Sequence, residues 1–309
     1  MAMHHEGIAK YHALFMQPSP TPAAPNAVRV TFMGVANLLF DDGEHSILID
    51  GFFTRPSRAA VILGKVEPDP VLIHQAIARI GMRHLDAVVV SHSHYDHAMD
   101  CGEIAKQTGA VVVGSESTAN IARGYGIKDD HIVVMHHSST ADFGRFHITF
   151  IRSAHAPSAA MTIAGGDINK PLQVPTRAFH YQEGGTYSIL IDHGQQHFLV
   201  QSSAGFIPGA LHGRHADIVF LGVGLLGKQT DPYREQFWKE VMQAVGAKRL
   251  IPIHWDDFMK PLDAPLVFAP RPFDEVENAI DFIIDKAKSD NIDVRFMPTW
   301  TLIDPTERL

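Results

Sequence analysis

Apolar residues along the chain fall into short runs broken by Gly, Asp, Asn or Pro, with helix-period stripes between several of them. Residues 28–32 alternate like a half-buried strand. Residues 37–40 and 46–50 read as two more, joined by the turn signal Asp41-Asp42-Gly43-Glu44. Asp69 followed by Pro70 marks the start of a helix that carries Ile73 and Ile77. Residues 85–90 are apolar and rich in valine, the pattern of a strand buried on both faces. Further strands are predicted at 110–113, 131–135, 146–151, 217–221, 248–253 and 293–296, and a hairpin at 186–191 and 197–200 around Asp192-His193-Gly194. Helices are predicted at 116–125, 232–245 and 273–288, the last with Val276, Ile280, Ile283 and Ile284 on one face. Residues 156–184 have no clear period. A stretch of that length without regular structure predicts a lid or binding loop. Two similar halves can be traced, each with hairpin strands followed by alternating strands and helices.

The buried strand at 85–90 runs straight into Ser91-His92-Ser93-His94-Tyr95-Asp96-His97. Imidazole nitrogens and carboxylate oxygens are the usual ligands of zinc and similar ions, and a catalytic site needs about three of them plus an open position. His92 and His94 alternate onto one side, while Asp96 and His97 turn toward a neighbouring position, an arrangement suited to two adjacent ions. The plain alternative is a solvated turn in a chain that contains 20 histidines. The metal reading is favoured because the ends of strands are where open α/β sheets place their sites. His155 and His254 also follow predicted strands directly. A formal G-x-G-x-x-G occurs at Gly222, Gly224 and Gly227. It lacks the acidic residue about 20 positions on and the leading βαβ half that dinucleotide binding requires, so it reads as a loop lining the site.

Composition changes this picture only at the margins. At 309 residues, 45% hydrophobic and 19% charged, the chain can build an ample core, and a net charge of −8 without a basic block disfavours nucleic acid as a partner. The single cysteine, Cys101, excludes an intramolecular disulfide and reads as a small buried residue. No run is long and apolar enough for a membrane span. Residues 1–25 end in a Pro-rich stretch without the plan of a secretion signal. They are predicted to be an arm or extended strap preceding one domain at 26–309, with the cytoplasm as the expected location.

With Asp50 upstream and His155 and His254 downstream, the unbroken His-x-His-x-Asp-His motif resembles that of the metallo-β-lactamase superfamily. The stretches Asp50-Gly51-Phe52-Phe53 and Ile253-His254-Trp255 resemble its ascorbate-6-phosphate-lactonase-like branch. The resemblance implies a four-layer αβ/βα sandwich, with two mixed β-sheets face to face and helices outside. It implies that His92, His94 and His155 hold one metal and that Asp96, His97 and His254 hold a second. Asp96 and His254 take the catalytic role, and Asp50 supports the ligand loop from behind. Zn²⁺ is the expected ion, one or two per chain, with Mn²⁺ or Fe²⁺ as alternatives. In dinuclear members an aspartate bridges the ions at a position occupied here by Ser203, within Gln201-Ser202-Ser203-Ala204-Gly205. Without that carboxylate the second ion is expected to bind more weakly, unless His180, His212 or His215 replaces it.

The function implied is hydrolysis of a small ester, lactone or related molecule by a metal-bound hydroxide. Phe52, Phe53, Tyr95, Arg177, Phe206 and Trp255 are expected around the substrate pocket. The alternatives are a phosphodiesterase or nuclease, and a catalytically weak metal-bound binding or sensor protein.

Overall fold

A computed structural model of the chain describes residues 7–18, 27–82, 84–159, 161–307 and 309. In its first half, strands β1 (Arg29–Phe32), β2 (Leu38–Asp41) and β3 (Ser46–Ile49) form an antiparallel meander. Strands β4 (Ala87–Val89), β5 (Val111–Gly114) and β6 (Ile132–Val134) continue from β3 in parallel. The second half repeats the plan. Strands β7 (Thr140–Phe143), β8 (Phe146–Arg152), β9 (Tyr187–His193) and β10 (Gln196–Gln201) are antiparallel, and β11 (Ile218–Gly222), β12 (Arg249–Ile253) and β13 (Asp293–Val294) run on in parallel. A last strand, β14 (Leu302–Ile303), returns to the first sheet and pairs with β1. The result is two mixed seven-stranded sheets, ordered β14-β1-β2-β3-β4-β5-β6 and β13-β12-β11-β10-β9-β8-β7.

The strand sequences explain why the sheets pack on both faces. Alternate side chains of a strand point to opposite sides. Leu38, Phe40, Ile47, Ile49, Ala87 and Val89 therefore enter the core between the sheets, against Ile148, Phe150, Ile189, Ile191, Phe198 and Phe220. Their neighbours Leu39, Leu48, Val88, Val90 and Val112 form a second core under the outer helices. Strands apolar at every position are thus used on both faces, as the run at 85–90 predicts.

Helices α1 (Arg58–Leu63), α2 (Pro70–Ile80), α3 (Tyr95–Ala98), α4 (Cys101–Thr108) and α5 (Glu116–Gly124) belong to the first half. Helices α6 (Met161–Ala164), α7 (Asp231–Trp238) and α8 (Val276–Ser289) belong to the second. Helix α2 starts as its sequence dictates: the Asp69 carboxylate accepts from the amides of Val71 and Leu72, Pro70 follows, and Gly81 closes the helix at φ 68°. Helix α7 widens into a π-helical turn at Lys239–Gln243, so the predicted helix at 232–245 is present but not uniformly α. Helix α8 buries Val276, Ile280 and Ile283, and Ile284 sits at the rim. The sheets with helices on both outer sides make the four layers of the expected sandwich.

Two strands escape the sequence pattern. In β7 two of four residues, Thr140 and Asp142, are polar and exposed, and β14 has only two residues. Within the predicted arm, Gly7–Leu14 forms a 3₁₀ helix whose buried Tyr11 stacks on Phe296 at 5.7 Å and bonds Asp281. Phe15 then forms a parallel bridge to Phe296. Most of the Pro-rich run, at 19–26, lies outside the described residues. No helix among the described residues is long and apolar enough to cross a membrane.

Candidate metal centre

The histidines singled out in the sequence meet at one edge of the sandwich. His92 follows the end of β4, His155 the end of β8 and His254 the end of β12. His94 caps the one-turn helix α3, which carries Asp96 and His97. The turn after β3 is folded so that Asp50, at φ 60°, sits beneath them. Its Oδ1 accepts from the Ser91 amide at 2.8 Å, and its Oδ2 accepts from the Ser91 hydroxyl at 3.1 Å and faces His97 Nδ1 at 2.7 Å.

Two triads result. His92, His94 and His155 offer ligand atoms within 4.8 Å of one another, and so do Asp96, His97 and His254. The ring centroids of His92 and His97 lie 3.9 Å apart, so the triads share a wall. In the second triad, His254 Nε2 lies 3.2 Å from His97 Nε2 and 3.3 Å from Asp96 Oδ2. Surrounding groups set which nitrogen is free. His155 Nδ1 is engaged by the Ala156 carbonyl at 2.8 Å and His97 Nδ1 by Asp50, which leaves each Nε2 lone pair for the cluster. His92 Nδ1 faces the Ser91 hydroxyl at 3.2 Å, while its Nε2 is buried and has no hydrogen-bond partner among the described residues. A buried nitrogen without a partner is costly. Neutral imidazole lone pairs beside one carboxylate fit a divalent cation.

The electrostatics agree. Burial, then the neighbouring His97, His94 and His155, push His92 well below its ordinary pKa. Burial and His155 bring His94 down to about 4. These imidazoles are neutral near pH 7, the form that ligates. For His97 burial works downward, but Asp96 and Asp50 outweigh it and raise the pKa to about 10. Burial would likewise raise Asp96, yet His97 and His254 hold it well below the carboxylate range. The second triad without an ion is therefore an imidazolium–carboxylate pair, and a cation held by Asp96, His97 and His254 would take the place of the His97 proton.

The beta-lactamase superfamily domain matches residues 45–255, a span that contains every residue of both triads. The chain belongs to the beta-lactamase superfamily. A metal-dependent hydrolase of Heliobacterium modesticaldum is 34% identical over 122 residues, 40% of this chain and 44% of that protein. One from Flavobacterium johnsoniae is 28% identical over 141 residues, 45% and 54% of the two chains. The chain thus spans about half the length of the curated relatives it matches. Among solved structures, Igni18, a metallo hydrolase from Ignicoccus hospitalis, superposes with TM-score 0.53 at 14% identity over 90% of this chain and 97% of its own. CmlA, a diiron beta-hydroxylase from Streptomyces venezuelae, gives 0.56 at 12% identity over 91% and 54%. These likenesses concern the fold.

Within this superfamily frame, other predicted residues stand in different places. Ser203 Oγ accepts from the Ala156 amide at 3.0 Å, bracing the turn that carries His155. It is Ser202, missed in the sequence, whose hydroxyl reaches Ser91 at 2.6 Å and so joins the Asp50 network. Phe52 and Phe53 are buried in the outer core, and Phe52 meets the Tyr95 ring at 5.9 Å. The structure does not bring Trp255, Phe206 or Arg177 to the triads. Trp255 packs among Phe32, Phe268 and Phe296, beyond the end of β12 and past the left-handed turn at His254. Phe206 packs on Tyr233 and Phe237, and Arg177 is exposed beside Phe179. His180, His212 and His215 pair instead with Thr176, Glu240 and Asp217. Phe258 is a further miss, with its ring 5.5 Å from His254 and 6.3 Å from Tyr95.

The 156–184 segment holds α6 and a short 3₁₀ turn and is tied to the centre. The Ala164 carbonyl faces His94 Nε2 at 3.2 Å, and the Ser93 amide donates to Glu183 at 2.8 Å. The glycine motif serves close packing: a Cβ on Gly224 would stand 3.0 Å from His254 Nδ1, and one on Gly227 would stand 1.9 Å from the Glu275 carbonyl oxygen. Behind His254, at φ 56°, its amide donates to the Val35 carbonyl at 2.7 Å, and the Val35 amide donates to Asp256 Oδ1 at 2.7 Å. Asp256 Oδ2 lies 2.7 Å from Arg55 Nη2, both side chains fully buried.

Proposed function

We propose that the chain is a metal-dependent hydrolase of small esters, lactones or related molecules, with His92, His94 and His155 holding one ion and Asp96, His97 and His254 the other. The observation that carries this reading is the pair of triads sharing a wall, with a buried His92 nitrogen that has no hydrogen-bond partner among the described residues. Zinc is the ion we assign, since imidazole-rich sites suit it; manganese and iron are the alternatives. A bound divalent ion supplies an acidified water and polarises the carbonyl or phosphoryl oxygen of a substrate.

The chain's own residues do the rest. Asp50 fixes the His97 tautomer and ring direction through Nδ1. Asp96 is the only carboxylate among the six ligand candidates, and its Oδ2 would orient the attacking water by accepting a hydrogen bond from it. His254, partly open to solvent and adjacent to Asp96, lies on the side from which substrate enters. Tyr95 and Phe258 supply an apolar wall beside it. Gln201 holds the turns behind the site by donating to Ser203 and Gly205 carbonyls at 2.9 and 2.8 Å.

A second reading, a catalytically weak metal-bound protein, draws on Ser203, which stands where the superfamily pattern implies a bridging carboxylate. A panel of generic esters, lactones and phosphodiesters separates the two, assayed with metal-loaded and chelated protein. The double variant His92→Ala/His94→Ala is expected to lose both bound metal and turnover. Turnover that survives in that variant overturns the assignment.

A further inference from the structure

We propose that His45, His84 and Asp86 form a separate divalent-cation site at the opposite end of the same two strands. His45 and Asp86 stand just before β3 and β4, whose other ends carry Asp50 and His92. Six residues of extended chain between Asp86 and His92 put the two places about 20 Å apart. The three side chains meet the same geometric condition as the two triads above, with ligand atoms within 4.8 Å of one another.

His84 Nε2 lies 2.9 Å from Asp86 Oδ1, and His45 Nδ1 lies 3.2 Å from Asp86 Oδ2. Two imidazoles from separate segments thus converge on one carboxylate, with ring planes 72° apart. Two neutral nitrogens and one carboxylate oxygen are a sufficient donor set for zinc, with water completing the tetrahedron.

Two of the three ligands are already fixed. The Asp86 carboxylate is held by the Ser46 amide at 3.0 Å, and it sits below the ordinary carboxylate range because its His and amide donors outweigh burial. The His45 ring is confined by the turn between β7 and β8: a Cβ on Gly144 would stand 2.2 Å from it. Only His84 is free to adjust, with 62% of its side chain exposed. Its backbone is held too, since the Ser46 hydroxyl donates to the His84 carbonyl. A preset pair plus one mobile imidazole is an arrangement that closes on an ion from solution without rebuilding the fold. The ion would clip the β2–β3 hairpin to the segment entering β4.

Equilibrium dialysis against micromolar free Zn²⁺, followed by elemental mass spectrometry, tests this on the full chain. The expected result is one ion per chain fewer in His84→Ala and in His45→Ala than in the unaltered protein, with turnover of any ester or lactone substrate unchanged. Using the difference makes the result independent of how many ions the other triads hold. Equal counts in all three proteins overturn the proposal. Loss in His84→Ala with retention in His45→Ala also overturns it, because the ion would then sit on a lone exposed histidine. Circular dichroism of both variants separates loss of a ligand from loss of fold.

Discussion

Substituting Arg55 by Met leaves the Asp256 carboxylate charged, fully buried and without its counter-ion. Removing one partner of a buried pair costs about 3–5 kcal/mol, because the remaining charge is neither solvated nor neutralised. At about 2 °C per kcal/mol for a large domain, the metal-free variant should unfold about 6–10 °C below the parent. The pair also holds a relay, from Asp256 to the Val35 amide and from the Val35 carbonyl to His254, through backbone at φ 50° and 56°. Cation affinity at Asp96, His97 and His254 should therefore fall more than affinity at the other triad. Nε and Nη1 of Arg55 have no hydrogen-bond partner among the described residues, so the pair is itself poorly compensated. Arg55→Met/Asp256→Leu should accordingly recover about half of the loss and stay about 1–3 kcal/mol below the parent, the cost of the orphaned Val35 amide. Urea unfolding of the parent, both single variants and the double variant measures the coupling. Additive losses, or a single-variant cost below about 1 kcal/mol, would refute the reasoning.

Three further outcomes are expected. Asp50→Ala should weaken cation binding about 10–100-fold by freeing the His97 ring, read by competition with a chromogenic chelator. Ser203→Asp should raise the affinity for a second ion, whereas Ser202→Asp should do so instead if the hydroxyl nearer Ser91 marks the bridging position; titration calorimetry of both decides. Asp42 is buried, and the His45 amide, His193, the Glu44 amide and Arg145 together outweigh that burial and hold its pKa below the usual range. A depressed pKa stabilises the fold above the ordinary carboxylate value and is lost as pH falls. Asp42→Asn should thus cost about 2–3 kcal/mol at pH 7, and urea midpoints should show the gap narrowing below about pH 4.

Most of the sandwich was legible because its strands are apolar on both faces, and helix α2 is punctuated by Asp69, Pro70 and Gly81. β7 was hidden because Thr140 and Asp142 are solvated, and β14 because two residues carry no period. The ligand candidates were readable since His92, His155 and His254 each stop an apolar strand. The pocket was less readable. Trp255 and Phe206 are aromatic neighbours of the site in sequence, but they lie past the ends of β12 and β10, where turns rather than strand alternation direct them against the core. Phe258 came to the site through a loop whose path no local pattern encodes. Ser202 and Ser203 are indistinguishable by composition, and only the direction of each hydroxyl separates them.

The pairing of Thr31 with Leu302, beside that of Phe15 with Phe296, ties early segments to late ones. While the chain emerges from the ribosome, β1 has β2 on one side and an open edge on the other until the segment around residue 302 arrives. Contacts so distant in sequence close slowly, and an open edge invites pairing with another chain. The first strand of the sheet to be made thus waits for the last one to cover it, a delay during which a holding chaperone would shield its open edge.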